Sequence, residues 1–427
     1  MNIDLIKQRH LSLAHNGNEE TLSEVRRKGL EVFEQQGIPT TRNEEWKYTR
    51  VGGLFQTPFT FANETVEVDF SSFHLPGHAR ANVLVFVNGE FSATQSKFIS
   101  KDLEVIALED AMVKYPELLK PNLGHSNAYL QDGINAMNTA LIRGGVFVLV
   151  PKGKIIDAPL FVYHVTDGTT NNMLSQPRSF VYLQQASQLQ MTETYVSLGK
   201  MESLINQVLE VVVEQDAVFD YVKLQNDARH SSQVSTTHIR QVGKSLVHTV
   251  TISLSGKIVR NNTNILMEAP YCEAHLYGMY IQDGNFHVDN HTVVDNKQPN
   301  CYSNQLYKGV MKDESTGVFN GKIFVRPIAQ KTNAFQSNKN ILLSDQATIN
   351  TKPQLEIYAD DVKCSHGCTI GKMDEEGLFY LQSRGIPEEM AKSLVLHSFT
   401  MDVLAEVKSE ELRNYIDVLI SEKLNLI

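Results

Sequence analysis

The segment Val247–Leu254, VHTVTISL, decides the fold class of this chain. Its β-branched and apolar residues alternate with polar ones, a period-two pattern that is typical of a β-strand. Short segments of similar composition recur through about 220 residues, separated by breaks rich in Gly, Asn, Asp and Ser. No helical pattern interrupts them, so the sequence predicts a core that is mainly β. Further examples are Val146–Val150, Leu160–Val165, Phe180–Leu183, Val208–Glu214, Ile323–Arg326 and Leu355–Ala359.

The connections between these segments favour a solenoid over a sandwich or a barrel. Antiparallel architectures need many tight hairpins, for which Asn-Gly and Asp-Gly are the strongest signals. In the β-rich zone such dipeptides are few, and Asp283-Gly284 and Asn320-Gly321 are the clear examples. A stack of parallel turns needs no hairpins, and polar segments such as Val234–His238 and Asn261–Asn264 suit a coil with a wet outer face. The pattern therefore favours a parallel β-solenoid.

The chain divides into three predicted regions. Residues 1–142 are mixed and mostly helical, residues 143–363 form the β core, and residues 364–427 are helical again. The predicted architecture is thus a β-solenoid flanked by helical regions at both ends.

The N-terminal region carries both helix and turn signals. Leu22–Phe33, Leu108–Tyr115 and Leu130–Leu141 place apolar residues at helical spacing. Ala81–Val87 alternates instead and ends in Asn88-Gly89, which predicts a strand followed by a tight turn.

Three short helices are predicted in the C-terminal region. Asp374 is placed to cap the first, Pro387 is placed as the first residue of the second, and Ser409 is placed to cap the third. The second and third helices are amphipathic, so their apolar stripes must be buried on the body of the chain or on a partner. Both outcomes stay open on spacing alone. The stripes are Met390, Ala391, Leu394, Val395, Phe399 and Val403 in the second helix, and Leu412, Tyr415, Ile416, Leu419 and Ile420 in the third.

Composition narrows the class of protein. The 427 residues include 39 Lys and Arg against 49 Asp and Glu, a net charge of −10, which disfavours non-specific binding to nucleic acid or anionic membranes. No apolar run approaches the roughly 20 residues that span a bilayer, and the first twenty residues lack the apolar core of a secretory signal. The four cysteines are too few for a disulfide scaffold. We therefore expect a cytoplasmic protein in a reducing compartment.

Soft metal ligands concentrate at one place, Cys364-Ser365-His366-Gly367-Cys368. In an extended strand, Cys364, His366 and Cys368 project from one face with neighbours about 7 Å apart, too far to share one ion. Either Gly367 folds the segment, or these residues complete a site with ligands from another chain. A pair of buried cysteines near a bend, with no metal role, is the third possibility.

A second pair of candidate ligands, His287 and His291, is not expected to hold a metal. Their flanking residues predict a strand, on which a spacing of four separates them by about 13 Å. We expect hydrogen-bonded histidines instead.

Several longer runs resemble the SufB/SufD family, core subunits of the SUF machine that assembles iron–sulfur clusters. The N-terminal run is similar to the entry signature of the SufD branch, and the absence of cysteine before Cys272 fits that branch better than SufB-type chains. The chain departs from the family pattern where Cys368 replaces the usual alanine, and where Asp295-Asn296 occupies a stretch that often holds a histidine. The matching runs are Asn43–Thr49, His287–Thr292, Tyr307–Gly309, Gly317–Ile323, Thr351–Gly367 (TKPQLEIYADDVKCSHG), Asp374–Glu376, Leu378–Leu381 and Ser383–Ile386.

The resemblance implies a right-handed parallel β-helix flanked by helical regions and no catalytic activity. It implies a scaffold subunit that supports iron acquisition and cluster assembly, that pairs with a SufB-type paralogue through the ends of the β-helices, and that docks a SufC-type ABC ATPase on its C-terminal helices. Cys364 and His366, with Cys368 as a possible addition, would then contribute to a site shared with the partner. The isolated chain would hold no stable cofactor. Iron or an iron–sulfur cluster would be bound only transiently, within the complex. The predicted partner-binding residues are Met390, Leu394, Phe399, Leu412, Tyr415, Ile416 and Leu419.

The sequence also allows other interpretations. The chain could be the SufB-type main scaffold, or it could form a homodimer in isolation. A β-solenoid enzyme that processes polysaccharide is a third possibility, against which the missing secretion signal counts.

Overall fold

The computed structural model describes residues 3–13, 22–61 and 66–425, and its largest feature is a coil of parallel β-strands. Helices precede and follow this coil, as the sequence predicts. The strands are β1 (Thr60–Phe61), β2 (Asn82–Val87), β3 (Glu90–Phe91), β4 (Glu104–Ala107), β5 (Val146–Val150), β6 (Leu160–Gly168), β7 (Met173–Ser175), β8 (Arg178–Leu183), β9 (Gln188–Gly199), β10 (Ser203–Val213), β11 (Val218–Asn226), β12 (Ser231–Gln241), β13 (Leu246–Ser255), β14 (Ile258–Met267), β15 (Glu273–Gln282), β16 (His287–Asn296), β17 (Tyr302–Met311), β18 (Thr316–Val325), β19 (Asn333–Leu342), β20 (Thr348–Ile357) and β21 (Lys363–Gly371). The helices are α1 (Ile3–Leu13), α2 (Ser23–Gln36), α3 (Leu108–Lys114), α4 (Pro116–Leu119), α5 (His125–Leu130), α6 (Gly133–Ala140), α7 (Glu375–Ser383), α8 (Glu388–Leu404) and α9 (Glu410–Asn425).

Two sheets form the walls of the coil, which confirms the predicted parallel β-solenoid. The first sheet has the order β20-β18-β16-β14-β12-β10-β8-β5-β4, with β1 and β7 beside it, and the second has the order β21-β19-β17-β15-β13-β11-β9-β6-β2-β3. From β8 onward, successive strands alternate between the sheets, and from β10 onward each pairs in parallel with the strand two places earlier. At one end, β20 and β21 are the last strands of the two sheets.

The structure places the dipeptides Asp283-Gly284 and Asn320-Gly321 differently. Asp283-Gly284 lies in the corner between β15 and β16, where the chain passes from one sheet to the other without forming a hairpin. The interpretation of Asn320-Gly321 as a turn is wrong, because both residues lie inside β18. Glycine is needed there for space: a Cβ at Gly321 would lie 2.2 Å from Nε2 of Gln336 in the facing sheet.

The segment Val247–Leu254 lies in β13, and both of its faces are buried. Val247 packs in the apolar core inside the coil, whereas Val250 and Ile252 point outward and pack against the C-terminal helices. Ser253 points inward and donates to Gln225 at 2.7 Å. A wet outer face, which was expected from Val234–His238 and Asn261–Asn264, does not extend to β13, since the outer face of this strand is covered and its polar side chains include inward ones.

The N-terminal region confirms most of its predicted elements. β2 and β3 form the expected hairpin, with both Asn88 and Gly89 at positive φ as its tight turn requires. The first two predicted helices correspond to α2 and α3. The third, α6, begins at Gly133 rather than Leu130, because the Asp132 side chain accepts from two backbone amides and caps the helix there.

The run Asn43–Thr49 fastens the N-terminal region to the outer face of the first sheet. Trp46 is buried, donates from Nε1 to Asp132 at 2.7 Å, and lies under the Arg260 guanidinium at 4.0 Å from the ring. A hydrogen bond from His291, helped by Lys322 and opposed by burial, lowers the pKa of Glu45 to about 2. This signature therefore has a structural role in docking one region of the chain on another.

The C-terminal helices pack on the outer face of the second sheet, where α8 contacts β15 and β17. The Asp374 cap of α7 is confirmed, with its side chain accepting from the amides of Glu376 and Gly377. Pro387 is the residue before α8 rather than its first residue. The Ser409 hydroxyl lies 3.4 Å from the Leu412 amide at the start of α9, a long hydrogen bond. Among the described residues, no helix is long and apolar enough to cross a membrane.

Candidate functional site

The candidate ligands Cys364, His366 and Cys368 lie on β21, the final strand of the second sheet. Within the described ranges, β21 is hydrogen-bonded in register only to β19, so its other edge is free. The same is true of β20 in the first sheet, which pairs with β18 alone. The coil therefore ends in two strands whose outer edges have no partner.

The three ligands face the interior of the coil. Paired residues of parallel strands point to the same side, and His366 and Cys368 pair with Gln336 and Asn338 of β19. Gln336 and Asn338 are buried inside the coil, where Asn338 donates to the carbonyl of Tyr307. His366 and Cys368 are nevertheless exposed, because no further turn of the coil covers the inner face of β21. The candidate ligands thus line the open end of the lumen.

The segment is extended, which decides between two of the alternatives left open by the sequence. The register with β19 is unbroken through Gly367, so this residue does not fold Cys368 back toward Cys364. The two cysteines are both free, and their spacing on a strand puts them about 13 Å apart. No group of three potential metal ligands lies together in the described part of the chain.

Cys364 differs from the other two candidates in its surroundings. It is half-buried and packs against a small apolar cluster that includes Ile323 and Ala334. This burial raises the pKa of the Cys364 thiol. Since the thiolate is the form that binds metal, an incoming cation must displace a proton from this sulfur.

The predicted partner-binding residues of the C-terminal helices fall into three groups. Leu412 and Ile416 of α9 are buried against the second sheet, in a cluster with Val250 and Ile252. Phe399, Tyr415 and Leu419 are partly buried at the margin of the same cluster. Met390 and Leu394 of α8 are exposed, at 59% and 46%. Met390 and Leu394 are therefore the most exposed of the predicted partner-binding residues.

Sequence reasoning missed other exposed apolar side chains nearby. Phe379 and Tyr380 of α7 are exposed at 72% and 58%, and α7 packs beside α8. Exposed apolar residues that share one region of a surface are typical of interaction sites. Both residues lie in the run Leu378–Leu381, whose resemblance to the family was the only feature of the sequence that could have pointed to them.

A buried lysine adds polar contacts between the coil and α8, beside the apolar packing of Leu396 and Val403. Lys308 of β17 is buried, and its Nζ donates to the carbonyl of Phe399 at 2.8 Å and to the carboxylate of Asp402. The ammonium also lies 4.7 Å from the centre of the Phe399 ring. Lys308 belongs to the family-like run Tyr307–Gly309, so this motif positions the helix that exposes Met390 and Leu394.

The two histidines of β16 are hydrogen-bonded, as expected. Nε2 of His287 lies 2.8 Å from the hydroxyl of Thr49. His291 lies between two carboxylates, with Nδ1 3.3 Å from Glu45 and Nε2 3.1 Å from Asp289. Both histidines serve the contact between the N-terminal region and the first sheet.

These observations define a class of protein: a β-solenoid with an open end that presents soft metal ligands and with exposed apolar helices beside the coil. Two family models match the chain. The model described as "SUF system FeS cluster assembly, SufBD core domain" matches residues 164–399, and the model described as "SufBD protein N-terminal region" matches residues 2–162. The chain belongs to the SufBD family of the SUF system for iron–sulfur cluster assembly.

Individual relatives agree with this assignment. The chain is 28% identical to the iron–sulfur cluster assembly SufBD family protein of Synechocystis sp. over 92% of its length and 89% of the relative. It is 26% identical to the iron–sulfur cluster assembly protein SufD of Escherichia coli over 92% of its length and 91% of the relative. A chloroplastic relative from Arabidopsis thaliana, ABCI7, is 33% identical over 62% of this chain and 58% of the relative.

Proposed function

We propose that the chain is a non-catalytic scaffold subunit of a SUF complex, in which it pairs with a SufB-type paralogue and docks a SufC-type ABC ATPase. The observation that carries this proposal is the uncovered inner face of β21, which presents Cys364 and His366 at the open end of the coil. A site of this kind is incomplete in one chain and is completed by a second chain on the open end.

The open end has the properties of a pairing surface. Ile357 and Ile370 are inward-facing residues of β20 and β21, yet they are exposed at 38% and 49%. Burying them against another coil would be favourable by about 25 cal/mol per Å² of apolar surface. The free strand edges add backbone groups that a partner strand can pair. We infer that the SufB-type partner covers this end, and a second copy of this chain is the competing occupant.

Iron or a nascent cluster is the cargo of this shared site. Thiolate and imidazole are suitable ligands for iron–sulfur species, and the partner must supply the ligands that one extended strand cannot. Four free cysteines agree with a reducing compartment, which supports a cytoplasmic location. The relatives are named as iron–sulfur assembly proteins, which counts against the polysaccharide-processing alternative.

The ATPase is proposed to dock on α7 and α8. Met390 and Leu394 supply the apolar contact on α8, and Phe379 and Tyr380 extend it on α7. Leu412 and Ile416 would act indirectly, because they hold α9 and thereby α8 on the coil.

Co-purification of the chain with SufB-type and SufC-type partners tests the proposal. Ile370→Asp should abolish capture of the SufB-type chain, because a carboxylate would be desolvated in the contact. Met390→Asp should abolish capture of the ATPase and leave the SufB-type chain bound. Val113→Asp, at a residue of α3 that is 70% exposed and far along the chain from both surfaces, is the matched control and should change neither.

Two outcomes would contradict the proposal. Capture of both partners by all three variants would remove the assigned surfaces. A stable cluster on the isolated chain after reconstitution would assign it the role of the SufB-type main scaffold instead.

A further inference from the structure

A cavity of about 540 Å³ lies where strands of the first sheet begin, under the segment that follows Trp46. Tyr48 and Arg50 line it from that segment, Arg229 and His230 line it from the connection between β11 and β12, and Lys257 lines it just before β14. Its volume is within the range of about 300–1,000 Å³ that is typical of small-molecule sites. The cavity is separate from the open end of the coil.

The charge of this cavity is opposite to that of the protein. The chain carries a net charge of −10, yet no Asp or Glu is among the residues that line the cavity, whereas Arg50, Arg229 and Lys257 are. Lys257 pairs with Glu202, and Arg229 lies 3.1 Å from Asp283. A positive charge beside a concave surface concentrates anions there.

The nearby carboxylates do not neutralise these cations. Asp283 also pairs with Lys423 at 3.0 Å, and Asp313 accepts from the amide of Gly284 in the same corner, so three carboxylates lie beside the three cations Lys257, Arg229 and Lys423. Arg50 is exposed and adds a fourth positive charge, with no ion pair in the part of the chain that the structure describes. The site therefore has a surplus of positive charge that an anion would offset.

One hydrogen bond beside the cavity is not made. Nε2 of His230 is buried and has no hydrogen-bond partner among the described residues. A buried polar atom without a partner is unfavourable, and this nitrogen is enclosed by the protein rather than open to the cavity. By contrast, His287, which also lines the cavity, has Thr49 as a partner.

One part of the lining is apolar. The Phe286 ring lies 4.4 Å from the Arg229 guanidinium, and Tyr48 and Ile258 contribute further apolar surface. A bare phosphate ion would leave most of the cavity unfilled. A ligand with both an anionic group and a planar carbon body matches both parts of the lining.

We propose that this cavity binds a small organic phosphate, with the phosphate near Arg50, Arg229 and Lys257 and the carbon body against Phe286 and Tyr48. The proposal is independent of the partners of the chain and of the ligands on β21. Arg50 is expected to contribute most to the affinity for the phosphate, because its guanidinium is not paired with a carboxylate among the described residues.

Titration calorimetry on the full chain, with phenyl phosphate, inorganic phosphate and phenol as probes, tests this site. Phenyl phosphate should bind saturably, more tightly than inorganic phosphate, and phenol should not bind measurably. Arg50→Gln should weaken phenyl phosphate about tenfold, the loss expected for one charge-assisted hydrogen bond. Arg42→Gln removes an exposed arginine of the same N-terminal segment that does not line the cavity, and should bind like the unmodified protein.

Lys257→Gln provides a second variant and should also weaken binding. Thermal unfolding without ligand should show that Arg50→Gln is folded, since the side chain is exposed. The proposal is overturned if the unmodified protein does not bind phenyl phosphate saturably, or if Arg50→Gln and Lys257→Gln bind it as tightly as Arg42→Gln. Equal binding of phenol would overturn the role of the cations.

Discussion

Replacing Ile416 with alanine should loosen the C-terminal helices, whereas replacing Met390 with alanine should leave them in place. Ile416 is 0% exposed and packs with Val250 and Ile252 of β13. Truncating a fully buried isoleucine removes favourable burial and leaves a cavity, at a cost of about 2–5 kcal/mol. Met390 is 59% exposed, so its truncation should change the free energy of unfolding by no more than about 0.5 kcal/mol.

Hydrogen exchange is the suitable assay, because helices packed on the side of a coil can open without global unfolding. Amides of α8 and α9 should exchange faster in Ile416→Ala by a factor that reflects the lost energy, roughly tenfold for each 1.4 kcal/mol. The amides of β13 and its neighbours should be unchanged. In Met390→Ala, exchange should match the unmodified protein while affinity for the ATPase falls.

This pair of variants distinguishes residues that hold the C-terminal helices on the coil from residues that contact the ATPase. If Ile416→Ala left exchange in α9 unchanged, the packing of α9 on the second sheet would be refuted. If Met390→Ala accelerated exchange as much as Ile416→Ala, Met390 would be a core residue and not a contact residue.

Further predictions follow from other contacts. Trp46→Phe removes the hydrogen bond to Asp132 and should cost about 1–3 kcal/mol in urea unfolding, and an unchanged free energy would contradict the anchoring role of Trp46. Glu45 has a pKa lowered from 4.5 to about 2, chiefly by its histidine hydrogen bond, so its ionised form stabilises the fold above about pH 4.5 and this contribution is lost as the pH falls toward 2. The stability difference between the unmodified protein and Glu45→Gln should therefore shrink over that range, and a constant difference would be the opposite result. Mild oxidation should leave Cys364 and Cys368 of one chain unlinked in mass spectrometry, because a disulfide needs Cα atoms within about 7 Å, and an internal link would show that β21 is not extended.

The period-two pattern and the scarcity of hairpin turns were sufficient to predict a parallel solenoid. They could not tell which face of a strand points inward, because the period is the same for both faces. In β13 the inward face includes the polar Ser253, and the outward face carries Val250 and Ile252, which the C-terminal helices cover. That covering depends on contacts between distant parts of the chain, which local periodicity does not encode.

At the candidate site, too, the sequence predicts local geometry but not the contacts between distant parts of the chain. That Cys364, His366 and Cys368 share a face follows from strand geometry, and the sequence predicted it. That this face is the inner one at an uncovered end follows from the pairing of β21 with β19, which required the structure. Likewise, spacing predicted the amphipathic stripe of the last helices, but only their packing separates a buried Ile416 from an exposed Met390.

The most direct test of the central claim is cluster formation by the reconstituted complex with substitutions on β21. Visible absorbance and bound iron should fall in complexes that contain Cys364→Ser or His366→Ala, while partner stoichiometry stays normal. Ser365→Ala alters the same strand on its outward face and should form clusters like the unmodified chain. Equal cluster formation in all three complexes would contradict the claim that the open end of the coil contributes ligands to a shared site.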